Sequence, residues 1–191
     1  AAADSKGGAI RIDKATDAVI DTCQFSTDQS SSNAQSIYAS NQVSNLTILG
    51  STFINEGDNK AKTHHVLYAE SKELLVQNST FTFDNPTRAI RCAHFIPPCN
   101  ASFVNTIFRN ANGGNAAGGA CISCASSSSE DVILIEDCKF DFCKAKNGQN
   151  IYVQTISRPI KLSNNLFWHT ETNYAMTIYY SVRYLTTRIE N

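Results

Sequence analysis

Val76-Gln77-Asn78-Ser79-Thr80-Phe81 decides the fold, because the chain writes the same phrase six times. An apolar residue is followed, two positions on, by a residue suited to a bend. A small residue comes next, and Phe closes the phrase. The other copies are Ile20 to Phe25, Ile48 to Phe53, Phe103 to Phe108, Ile135 to Phe140 and Leu162 to Phe167. The Phe positions step by 28, 28, 27, 32 and 27 residues. Self-similarity at such a period is the mark of a solenoid. The bend position holds Thr22, Gly50, Asn78, Asn105, Asp137 and Asn164. Gly, Asn and Asp tolerate the left-handed backbone that a tight bend demands.

A second short phrase precedes each copy. It runs Ile10-Arg11-Ile12, Ile37-Tyr38-Ala39, Leu67-Tyr68-Ala69, Ile90-Arg91-Cys92, Ile122-Ser123-Cys124, Ile151-Tyr152-Val153 and Ile178-Tyr179-Tyr180. Strict alternation with β-branched residues predicts strand, and no segment sustains a helical period. The expectation is an all-β, right-handed parallel β-helix: one domain over 1–191, about seven coils of roughly 27–32 residues, three short strands in each. The variable segments fall after each Phe, at 26–35, 54–65, 82–88, 109–119, 141–149 and 168–175. The last coil breaks off near its bend, at Asn191, so the chain is expected to be a section of a longer solenoid.

Two strands joined by a tight Asn bend and followed by a variable loop resemble the pectate-lyase-like superfold. The wording is also similar to polymorphic outer-membrane protein repeats and related protist surface β-helices, which use GGA-I and F-x-x-N. Gly7-Gly8-Ala9-Ile10 matches that usage fully; Gly118-Gly119-Ala120-Cys121 and Phe108-Arg109-Asn110-Ala111 match in part. The resemblance implies that any chemistry would sit on the first-strand face. Lyases of that superfold hold calcium with clustered carboxylates, and hydrolases use paired carboxylates.

Stacking predicts the columns. Ile10, Ile37, Leu67, Ile90, Ile122, Ile151 and Ile178 are expected inside, with the six Phe. Cys23, Ser51, Ser79, Thr106, Cys138 and Asn165 are expected in a second inner column. Arg11, Tyr38, Tyr68, Arg91, Ser123, Tyr152 and Tyr179 are expected outward. Aromatic and Arg enrichment in one exposed file suits an interface or stacking on sugar rings. That file carries no carboxylate, and Asp13 and Glu70 lie in non-adjacent coils. His64-His65 has no carboxylate pair beside it. No catalytic residue is therefore assigned.

Hydrophobic residues make up 42% of the chain and charged residues 17%, with a net charge of −1. That balance excludes disorder and gives no electrostatic basis for binding nucleic acid. No apolar run reaches the length of a membrane span. Seven cysteines in a Ser/Asn-rich chain fit an oxidising compartment. Cys92 and Cys124 are expected in one inner column of adjacent coils, where a bridge is open to them, with Cys99 and Cys121 as alternative partners. Cys121-Ile122-Ser123-Cys124 lacks the second ligand pair that a zinc site needs, so neither metal nor cofactor is expected. Sequons stand at Asn45, Asn78 and Asn100 and are expected on exposed bends. The reading is a noncatalytic glycoprotein scaffold, extracellular or at the cell surface: adhesin, matrix component or filament subunit. Its partners would be other copies end to end, glycans or surface proteins. The alternatives are a polysaccharide lyase or hydrolase, and a carbohydrate-binding module.

Overall fold

A computed structural model describes residues 8–26, 34–55, 64–83, 90–96, 98–114, 120–124, 132–145, 150–153, 160–168, 178–180 and 188–190. Among them every regular element is a strand, and the strands stack into a parallel β-solenoid with three sheets. The main path of the first sheet joins Ile10–Ile12, Ala34–Ala39, His64–Ala69, Ile90–Phe95, Ile122–Cys124, Ile151–Val153 and Ile178–Tyr180. The second joins Ala15–Asp21, Val43–Leu49, Glu73–Gln77, Asn100–Val104, Ile133–Glu136, Ile160–Ser163 and Arg188–Glu190. The third joins Gln24–Ser26, Thr52–Asn55, Thr80–Phe83, Ile107–Arg109, Lys139–Asp141 and Leu166–Trp168. No helix among the described residues is long and apolar enough to cross a membrane.

The bend between the second and third sheets forms where the repeat places it. Thr22, Gly50, Asn78, Asn105, Asp137 and Asn164 all take positive φ, between 46° and 54°. The amides of Thr22, Gly50, Asn78, Asn105 and Asp137 are each satisfied by the following coil: Gly50 N–H donates to the Gln77 carbonyl at 3.0 Å and Asn105 N–H to the Glu136 carbonyl at 2.9 Å. The side chains ladder as well, with Asn105 Nδ2 donating to Asn78 Oδ1 at 2.8 Å. Gly50 needs its backbone freedom rather than space, since an added Cβ would sit 3.5 Å from Thr22 Cγ2, an ordinary contact. Gly50→Ala is therefore expected to lose about 1–2 kcal/mol of stability, the cost of left-handed backbone for an L side chain. Gly50→Asn should lose less. Urea midpoints of the two variants check this.

The small residue after the bend does two jobs. Ser51 Oγ donates to the Leu49 carbonyl at 2.8 Å and accepts the Cys23 N–H at 3.2 Å. Ser79 Oγ repeats the pattern with the Gln77 carbonyl and the Ser51 N–H. Asn165 serves the Cys138 N–H at 2.9 Å. Buried backbone groups require such partners. Cys138 fits the same column as a thiol: its Sγ lies 3.3 Å from the Glu136 carbonyl, and burial pushes its pKa up to about 12.

The core is built from like residues in register. Phe25, Phe53, Phe81, Phe108, Phe140 and Phe167 form a continuous stack, with successive ring centroids 4.5–5.2 Å apart and planes within 12° of parallel. In-register parallel strands impose this, because identical positions recur at the strand spacing of about 4.7–4.9 Å. Ile20, Ile48, Val76, Phe103, Ile135 and Leu162 line the second sheet inside.

Three expectations need correction. The strand Ile90–Phe95 pairs Ala93 with Leu67 and His94 with Tyr68. Ala93, not Ile90, therefore continues the inner column, while Ile90 pairs with His64 and with Asn112. Arg91 falls opposite His65 and leaves the Tyr file. The reason is packing: this register brings Phe95 into line with Ala69 and Cys124 and buries it against Phe103, 6.2 Å away. It also takes Cys92 out of the Cys124 column, which removes the basis for the bridge that had been open to them. Finally, two of the variable segments contain strands. Asn112–Gly114 pairs antiparallel with Ile90–Phe95 and parallel with Lys144–Ala145, widening the first sheet.

Candidate functional site

The first sheet gathers the aromatic and basic side chains. With the register above, the file runs Arg11, Tyr38, Tyr68, His94, Ser123, Tyr152 and Tyr179. It is not an exposed file: Tyr38 is 3% exposed, Ser123 2% and Tyr152 8%, and Arg91 beside it is 8% exposed. Arg11 remains in solvent, in an ion pair with Asp13 at 2.7 Å, and its guanidinium lies 6.0 Å from the Tyr38 ring centre. That pairing raises the Arg11 pKa through its hydrogen bond and charge. The side chain of Tyr179 lies outside the described residues.

The rings face one another. Tyr38 stacks on Tyr68 at 5.8 Å, Tyr68 meets His94 at 5.2 Å, and His94 stacks on His65 at 4.5 Å. Tyr38 Oη donates to Glu70 Oε2 at 3.1 Å. Faces packed in this way are not offered to a sugar ring, which corrects the expectation of a stacking platform along the file. His94 Nδ1 and Ser123 Oγ are 3.1 Å apart. Burial first, and the charge of Arg91 second, lower the His94 pKa to about 4, against the opposing pull of the Ser123 hydrogen bond. His94 is therefore neutral at pH 7. Burial also lowers the Arg91 pKa, while Tyr152 favours its charged form. The arrangement holds a buried cation beside two stacked imidazoles, and its charge state changes in acid.

The repeat did not single out His94 or His65 as members of this cluster. The signal for His94 was present: Ala93-His94-Phe95 has the same alternation as Leu67-Tyr68-Ala69. Cys143 was missed as well. The structure bonds Cys121 to Cys143, with Cα atoms 6.8 Å apart. Of the cysteines weighed as possible disulfide partners, Cys121 is thus placed in a bridge. Cys92 is a buried free thiol whose pKa burial pushes well up. Cys99 and Cys124 are both buried. Among the described residues no three His, Cys, Asp or Glu side chains are grouped to hold a metal ion.

The sequons divide into two kinds. Asn45 and Asn100 are half-buried within second-sheet strands rather than on bends, in one column with Asp17 and Glu73. Asn45 Nδ2 donates to Asp17 at 2.7 Å, and Asn100 Nδ2 to Glu73 at 2.7 Å. Asn78 is exposed at its bend. Compared with protein-family models, curated proteins and solved structures, the chain finds no match in any of the three.

Proposed function

We propose that this chain is a noncatalytic glycoprotein scaffold of the extracellular space or cell surface, an adhesin, matrix or filament subunit. Its three-sheet parallel solenoid supports reading it alongside the pectate-lyase-like superfold and the surface β-helix repeats that its sequence resembles. The observation that carries the reading is the fate of four carboxylates among the described residues. Asp17 is bonded to Asn45, Glu73 to Asn100, Glu136 to Ser163 at 3.2 Å and Asp141 to Arg109 at 3.4 Å, each across neighbouring coils. Glycoside chemistry needs two carboxylates aimed at one substrate. Carboxylates tied from coil to coil instead hold the spacing of a rod. The Cys121–Cys143 bridge supports an oxidising location.

The test is direct. Folded protein is incubated with calcium and polygalacturonate, following the absorbance of unsaturated uronates, and reducing ends are assayed on other polysaccharides. No turnover is expected, with rod-shaped particles in negative stain; sustained turnover would overturn the reading. Glycan attachment is expected first at Asn78, which is exposed at its bend and meets Asn105 through Oδ1 rather than through the Nδ2 that would carry the sugar. Protein from a eukaryotic host should lose mass on glycosidase treatment at the peptide holding Asn78. An unchanged mass there would remove glycans from the proposal.

A further inference from the structure

Six large hydrophobic side chains stand exposed among the described residues, and four of them lie together at one end of the third sheet. Ile107 is 37% exposed, Leu166 48%, Trp168 48% and Phe142 51%. Register places Ile107, Lys139 and Leu166 in one outward column and Arg109, Asp141 and Trp168 in the other, with Phe142 next to Asp141. The Lys139 ammonium lies 4.8 Å from the Trp168 ring centre. Arg109 neutralises the mostly buried Asp141 at 3.4 Å. The patch is therefore apolar with a basic character. In the earlier coils the same two columns are uncharged: Gln24, Thr52 and Thr80 in one, Ser26, Ile54 and Thr82 in the other.

The opposite combination occurs on a different face and at the other end. Val19, 64% exposed, stands on the second-sheet strand Ala15–Asp21 between outward Asp17 and Asp21. Asp17 accepts from the Asn45 side-chain amide and Asp21 from the Thr22 hydroxyl, both neutral donors. Half-buried Leu49 extends the apolar surface, and Glu73 extends the acidic column. Lys14 and Lys72 flank this face from outside the strands. Clustered exposed apolar surface marks an interaction site, and opposite charge gives it a partner and a register.

We infer that the late third-sheet face packs against the early second-sheet face of a second copy of this chain. The inference deepens the scaffold reading and rests on it. Both halves of the complementary pair are present on one molecule, which is why the occupant is another copy. The two faces differ, so the contact is heterologous. They lie at different heights along the solenoid, so copies are staggered and association is open-ended. A sheet face this narrow is at the small end of specific interfaces, and association is weak and salt-sensitive.

Sedimentation velocity across a concentration series, at low and high salt, tests it. Mass should rise with concentration at low salt and fall back at high salt. Lys139→Glu and Asp21→Lys should each weaken association by about tenfold or more. An equal mixture of the two variants should associate again, because each altered face then meets an opposite charge. This restoration also shows that both variants fold. A wild-type protein that stays monomeric overturns the inference, as does a mixture that fails to recover. A monomer that binds insoluble polysaccharide through Trp168, lost in Trp168→Ala, overturns it in favour of a sugar platform. Turnover in the polysaccharide assay would sink the scaffold reading alone, because sedimentation reports on the contact independently.

Discussion

Phe81→Ala is expected to remove about 3–5 kcal/mol of folding stability, as for any ring in the interior of the aromatic stack. Phe81 is fully buried and touches stacked neighbours on both sides, Phe53 at 4.5 Å and Phe108 at 5.2 Å. Removing the ring takes away its transfer free energy and both stacking contacts, and it leaves a void that strands of three and four residues, pinned on each side, cannot close. Phe167 supplies the control. It is only partly buried and, among the described residues, is stacked on Phe140 alone. Phe167→Ala should lose roughly half as much by the same reasoning of area and cavity. Urea unfolding followed by both fluorescence and far-ultraviolet circular dichroism measures the two, and coincident transitions justify the comparison. Equal losses at the two positions would show that stacking on two sides contributes nothing beyond burial of one ring.

Stability is expected to fall by about 3 kcal/mol between pH 7 and pH 4 through His94 alone. The ordinary histidine pKa of 6.5 is lowered to about 4 in the fold. The unfolded chain therefore takes up a proton through the upper part of that window, while the folded chain resists until its lower edge. A depressed folded-state pKa gives stability that is complete above the unfolded value and is lost as pH falls. The groups around His94 set the size of the effect. Tyr68 and His65 face it from one neighbouring strand, Ser123 from the other, and Arg91 from its own. A proton on His94 would face Arg91 at short range and stack against His65. His94→Gln keeps a polar group near Ser123 without the titration. Its urea midpoint should change far less across the window than that of the wild type. Parallel slopes for the two proteins would assign the acid sensitivity to the carboxylates instead.

What could be read from the residues differs from one sheet to the next, for a physical reason. The bend column was legible because left-handed backbone admits few side chains, and Thr22, Gly50, Asn78, Asn105, Asp137 and Asn164 all take it. The Phe stack was legible because its period is tied to that bend three residues upstream. The first sheet has no such anchor. Ile90-Arg91-Cys92 and Ala93-His94-Phe95 carry the same alternation, and only the neighbouring strands decide between them. Burial of Phe95 against Phe103 selects the second. The disulfide was obscured for another reason, since Cys143 lies in the 141–149 segment that the repeat leaves as variable. Periodicity also names the face a Tyr points to without saying whether that face is covered, which is why Tyr38 and Tyr152 were placed in solvent. The Trp168 patch lies on residues that the repeat treats as filler between its Phe positions.

The side-chain ladder beside the bend has a direction. The Cys23 amide waits for Ser51, the Ser51 amide for Ser79 and the Cys138 amide for Asn165; in each case the acceptor belongs to the coil that follows. A coil just made is thus left with an unanswered donor at its turn until its successor arrives. On a ribosome, which delivers the early coils first, each newcomer both completes the one before and exposes the same need itself. Docking of each coil thus answers the donor of the one before, and loss of a later coil reopens it.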